Sequence, residues 1–176
     1  MLTTSLRILP ALLAAIAGYT DWRSRRIPNW LTMPGFLLGI LTNTLVGGWA
    51  GTKDSLLGAG LGLALLLPFV VIRALGAGDW KLVGALGAFL GPRPLMLVLI
   101  ITILVNGVMA LAMIVWKKRV AETARNFVRM LAAFATMQLP GRDLTLDNPD
   151  AVKVPFGIAV AAAMILYTLS RIWVRG

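Results

Sequence analysis

The run from Leu56 to Ile72, LLGAGLGLALLLPFVVI, holds seventeen residues and no charge. In lipid, every backbone N–H and C=O must find its partner inside the protein, and only helices and closed barrels meet that condition. Runs of this kind recur along the chain, and none shows the two-residue alternation of a barrel strand. The fold class is therefore an all-α integral membrane protein. Composition agrees: 59% of the 176 residues are hydrophobic and the mean hydropathy is +0.84. Only 14% are charged, against about a quarter in soluble domains.

Apolar runs bounded by charge or turn residues predict six transmembrane helices, near 2–20, 30–47, 55–75, 80–91, 95–116 and 154–173. Together they form one polytopic domain over residues 1–176. The first run has Arg7 as its only basic residue and leads straight into a charged loop, so it reads as a retained span and not as a cleaved signal. The short fourth run covers only about 18 Å of a hydrocarbon core of about 30 Å. It is expected to span with its start recessed below the surface. Between the fifth and sixth runs, Val120, Phe127, Met130, Leu131 and Phe134 fall at helical spacings. This stretch predicts a basic amphipathic segment on the cytoplasmic membrane surface, followed by a turn-rich loop.

The net charge is +10, from 17 Lys and Arg against 7 Asp and Glu. Alternate loops divide the basic residues twelve to five. The richer side is expected to be cytoplasmic and in contact with anionic membrane lipids, with both termini outside. No basic face is interleaved with aromatics, so no nucleic-acid partner is expected. With no Cys and no His, disulfides, thiol nucleophiles and a Ser-His-Asp triad are excluded. Two carboxylates without histidine also make a poor transition-metal site, and neither a metal nor another cofactor is called for.

Five of the seven acids sit in polar loops: Asp54, Glu122, Asp143, Asp147 and Asp150. Asp21 and Asp79 close the first run and open the fourth, 58 positions apart. Counting spans places both on the cytoplasmic side at similar depth. Two carboxylates sharing one water and one proton are the machinery of an aspartic protease. The dipole at each helix end favours the anion at Asp79 and the neutral acid at Asp21. Against this stand plainer roles, an N-cap for Asp79 and a counter-charge to Arg23 or Arg25 for Asp21. Gly76 and Gly78 leave a bare backbone beside Asp79, with room for an unwound substrate. Pro28 and Asn29 start the second span. Lys81 is placed either to act on Asp79 or substrate backbone or to snorkel to headgroups.

GAGD followed by WKL (Gly76 to Leu82), an earlier Asp21 ahead of RRIPNWLT (Arg25 to Thr32), and a late KVPFGIAVAAA (Lys153 to Ala163) together resemble the type IV prepilin peptidases. These are polytopic aspartic proteases of the G-x-G-D class. The resemblance implies catalysis by Asp21 and Asp79, with Gly76, Gly78, Lys81, Pro28 and Asn29 binding substrate or supporting the site. It implies prepilin or pseudopilin substrates, cut on the cytoplasmic face of the bacterial inner membrane to release a basic leader. The large bifunctional members add an insert with Cys-x-x-Cys pairs and an N-methyltransferase activity. Without cysteine, this chain resembles the peptidase-only branch associated with tight-adherence (Flp) pili. The alternatives are a small proton- or cation-coupled transporter and a non-catalytic subunit of a pilus or secretion assembly. A transporter would more often place its acids at mid-span within inverted repeats, and no convincing repeat is found.

Overall fold

The structure, a computed structural model, describes residues 2–118, 123, 125, 126, 128, 129 and 154–173. The expected amphipathic segment between the fifth and sixth runs lies almost wholly outside the described residues. The described chain is helical nearly throughout, as α1 (Leu2–Ser24), α2 (Asn29–Val71), α3 (Ala77–Leu90), α4 (Pro92–Trp116) and α5 (Phe156–Trp173).

Gly48 divides the 43-residue α2, adopting φ 56° and ψ −140°, a backbone conformation closed to residues with a Cβ. In a continuous helix Gly39 and Ser55 would lie about 24 Å apart. Instead, Ser55 Oγ donates to the Gly39 carbonyl at 3.2 Å, and the Thr44 and Thr52 hydroxyls meet at 2.8 Å. The chain therefore doubles back, and residues 29–47 and 49–71 are the two arms of a helical hairpin. The second and third apolar runs correspond to these arms. The turn is tighter than expected, because one glycine reverses the chain where a longer loop had been anticipated.

Helix α3 is the innermost element, and all seven residues from Leu82 to Ala88 are buried. An apolar run without a polar face belongs in the middle of a bundle. It packs mainly against the α2 hairpin, while α5 packs against both α1 and α4. Contact with the hairpin is backbone to backbone, since a Cβ on Gly87 would come within 2.6 Å of the Gly58 carbonyl carbon. Close approach of this kind is how helices associate without a hydrophobic drive between them. The shared core takes Ala17 from α1, Leu31 from α2, Leu82 and Leu86 from α3, Leu95 from α4 and Val160 from α5.

The outside of the bundle is apolar as well, with Leu12, Leu37, Leu57, Val108 and Leu166 all exposed on different legs. Water would not tolerate so continuous an apolar surface. By length and composition, α2 and α4 each contain a stretch able to cross a membrane.

A helix as short as α3 ends inside the protein, where its last carbonyls have no water to accept from. Asn43 supplies the missing donors: its Nδ2 donates to the Ala88 carbonyl at 2.8 Å, the Phe89 carbonyl at 3.0 Å and Ser55 Oγ at 3.0 Å. The single hydrogen of the Ser55 hydroxyl lies between the Ala88 and Gly39 carbonyls and is shared by them. Replacing Asn43 by Leu should leave the Phe89 carbonyl unpaired and the Ala88 carbonyl with Ser55 alone, at a cost of about 2 kcal/mol. The measurement is the unfolding midpoint in detergent, which should fall, with Asn43→Gln recovering part of the loss.

Candidate active site

Helix α1 continues a turn beyond its apolar run, and there its hydroxyls bond back to its own carbonyls, Thr20 Oγ1 to Ala17 and Ser24 Oγ to Thr20. It stops at Arg25, which takes φ 52° and whose N–H donates to the Asp21 carbonyl at 2.8 Å. Asp21 therefore lies within the helix and is only 6% exposed.

The partner of its carboxylate comes from the far end of the sequence. The Gly157 N–H donates to Asp21 Oδ2 at 2.9 Å, across 136 positions. Gly157 is the second residue of α5, so this N–H belongs to the set at a helix start that has no partner within the helix. A Cβ at position 157 would stand 2.9 Å from Asp21 Cβ and 3.1 Å from Oδ2. Asp21 thus sits near the C-terminal end of its own helix and also against the N-terminal end of α5, and the two dipoles act on it with opposite sign. The first of these effects was legible in sequence; the second required the fold.

Asp79 is not the N-cap of α3. Gly76 holds that position, extended at φ −71° and ψ 144°, and Asp79 is the third residue of the helix. Its carboxylate reaches back to the Gly76 N–H, as the acidic member of a capping box does. A side chain at Gly76 would press on the catalytic candidate itself, since a Cβ there would lie 3.0 Å from Asp79 Oδ2. Asp79 is half-buried, and the Asp21 carboxylate is among the charges that act on it. Each aspartate therefore lies against a glycine at the start of a helix, and for Asp21 the bond from the glycine N–H is 2.9 Å.

Beside the two glycines, which sequence assigned to substrate, lie residues of the protein itself. At Gly76 the neighbour is Asp79. At Gly78 a Cβ would fall 2.9 Å from the Ile27 carbonyl oxygen, so the start of α3 lies flush on the loop after α1. Pro28 stands just before α2, extended at φ −75° and ψ 149°, and accepts the N–H groups of Leu31 and Thr32. Asn29 does not cap the helix; its Oδ1 accepts from Lys81 Nζ at 2.9 Å. The supporting residues are therefore together, but they are engaged with one another.

Sequence reasoning missed Gly157 as part of the site. The signal was present in Pro155-Phe156-Gly157, which had been used only as a point of resemblance. Among the described residues, no cluster of acidic residues able to hold a metal ion is present.

The model of the type IV leader peptidase family matches residues 8–111, which include both aspartates and leave Gly157 outside. Among curated proteins, the chain is similar to a prepilin leader peptidase/N-methyltransferase of Aeromonas hydrophila, 34% identical over 54% of this chain and 35% of the relative. Proteins of the same name from Neisseria gonorrhoeae and Xanthomonas campestris pv. campestris are 33% and 30% identical. They align over 64% and 71% of this chain and over 41% and 45% of their own lengths. The chain thus spans less than half the length of each of these relatives. No solved structure matches it. The match extends over more than half of the chain and takes in the G-x-G-D segment, and the chain belongs to the type IV leader peptidase family.

Proposed function

We propose that the protein is an aspartic endopeptidase that removes the basic leader from type IV prepilins or pseudopilins, using a water activated between Asp21 and Asp79. The observation that supports it best is the arrangement of these two acids. They are 58 positions apart in sequence, yet each lies against a glycine at a helix start and the charge on one acts on the other.

The chemistry follows from two carboxylates sharing one proton. The ionised member takes a proton from water as its oxygen bonds to the scissile carbonyl carbon. The protonated member gives its proton to the carbonyl oxygen. The tetrahedral diol then loses the proton of one hydroxyl to a carboxylate while the leaving nitrogen takes a proton from the dyad, and the C–N bond breaks. The products are an acid and an amine, and the dyad again holds one proton. Gly157 and Gly76 hold the carboxylates in place through their N–H groups, which cost no reorganisation during reaction.

In this reading six transmembrane helices, the α2 arms counted separately, place the dyad at the cytoplasmic face of a bacterial inner membrane. The absence of cysteine favours the branch without methyltransferase. Co-expression with a prepilin, followed by mass determination of the pilin N-terminus, tests the activity. A leader retained in the presence of correctly inserted protein would reject it. A reporter placed between Lys117 and Lys153 should report a cytoplasmic location; a periplasmic signal would invert the topology and put the dyad on the wrong side.

A further inference from the structure

Three consecutive residues at the start of α3 reach three different neighbours. Successive helical side chains point about 100° apart. The Asp79 carboxylate turns back over Gly76, and the charge on Asp21, on α1, acts on it. Trp80 Nε1 donates to the Leu63 carbonyl at 2.8 Å, on the second arm of the α2 hairpin. Lys81 Nζ donates to Asn29 Oδ1 at 2.9 Å, on the first arm. Gly78 precedes Lys81 by three positions, so it shares that face and lies against Ile27.

We infer that Trp80 and Lys81 are positioning residues that fix the rotation of α3 about its axis and thereby aim Asp79 at Asp21. Burial from Leu82 to Ala88 holds the body of α3; the two bonds hold its first turn, on faces about 100° apart, and no rotation of that turn preserves both. The carboxylate of Asp79 stands roughly 5 Å from the helix axis, so a turn of about 15° would move it by more than 1 Å. A misplacement of about 1 Å costs an enzyme on the order of a hundred-fold in rate. Trp80 would otherwise pass as one of the interfacial tryptophans common at span ends. Its indole N–H instead reaches a main-chain carbonyl 17 positions away. Lys81 would pass as a snorkelling cation, but its ammonium is engaged with a specific amide oxygen.

This inference rests on the catalytic reading of the two aspartates, and its test separates the two. Trp80→Phe keeps the aromatic bulk and removes the N–H; Lys81→Met keeps the stem and removes the ammonium. Each should lower kcat by about ten- to a hundred-fold with KM within about two-fold. Each should also change the separation of the two limbs of the pH–rate profile, which reports how strongly the carboxylates interact. Asn29→Asp preserves an acceptor for Lys81 and should recover most of the rate lost in Asn29→Leu. The double variant Asn29→Leu/Lys81→Met should be no worse than its weaker single variant, because one bond is lost in all three. A rise in KM at unchanged kcat would overturn the inference, because these side chains would then bind substrate. An unchanged rate and pH profile would overturn it as well. If Asp79→Asn cleaves normally, the dyad reading fails instead, whatever Trp80 and Lys81 do.

Discussion

Asp79→Asn and Asp21→Asn should each abolish leader removal, lowering the rate by about 10,000-fold, the upper end of what one positioned acid or base contributes. Asparagine keeps the shape and a hydrogen-bond acceptor, so the Gly76 and Gly157 N–H groups retain a partner and insertion should be normal. What is lost is the capacity to exchange a proton. The two losses should not add. Once either acid is gone the remaining one can still donate or accept a proton, but it cannot alternate with a partner, so the double variant should resemble each single one. Measurement requires purified enzyme, a prepilin peptide and an assay able to detect residual turnover. Full activity in either variant, with normal insertion, would exclude the dyad mechanism and favour a structural role for that carboxylate.

The second large effect is expected at Gly157, a residue with no reactive atom. Alanine there would put a methyl carbon 2.9 Å from Asp21 Cβ and 3.2 Å from the Ala17 carbonyl oxygen. Backbone on one side and a buried carboxylate stem on the other leave little that can give. Overpacking of this kind costs about 1–3 kcal/mol of stability. It should also displace Asp21 and lengthen its bond from the Gly157 N–H, with kcat falling on the order of a hundred-fold while KM changes little. A smaller residue opposite offers no remedy, because the contact is with Asp21 itself. If Gly157→Ala retained its full kcat, the α5 N-terminus would be no part of the site.

Much of the fold is legible in the sequence. The apolar runs coincide with helical legs to within a few residues, except that the third leg begins at residue 49 and not near 55, because Gly48 alone reverses the chain. Hydrophobicity and helical period are local properties, so local sequence expresses them. Counting spans puts the helix ends that carry Asp21 and Asp79 on one side, and that count is what the sequence offers for the proposed pair. It does not give the cause of the glycines near Asp79. Gly76 and Gly78 make room for the protein's own Asp79 and Ile27, and sequence alone cannot say whether a bare backbone receives a substrate or a neighbouring residue.

By itself, then, the sequence determined an all-helical apolar chain, the order of its legs, and the two acids worth examining, through patterns repeated within a few turns. The tertiary structure alone decided that Gly157 holds Asp21, that Asn43 satisfies the end of α3, and that Trp80 and Lys81 grip opposite arms of one hairpin. The physical reason is common to all of these. Each depends on a hydrogen bond between groups distant in sequence, as far as 136 positions for Gly157 and Asp21, and four of the partners, the Gly157 N–H and the Ala88, Phe89 and Leu63 carbonyls, belong to the main chain. A backbone N–H or carbonyl leaves no mark in sequence; only its place in the fold shows what it binds.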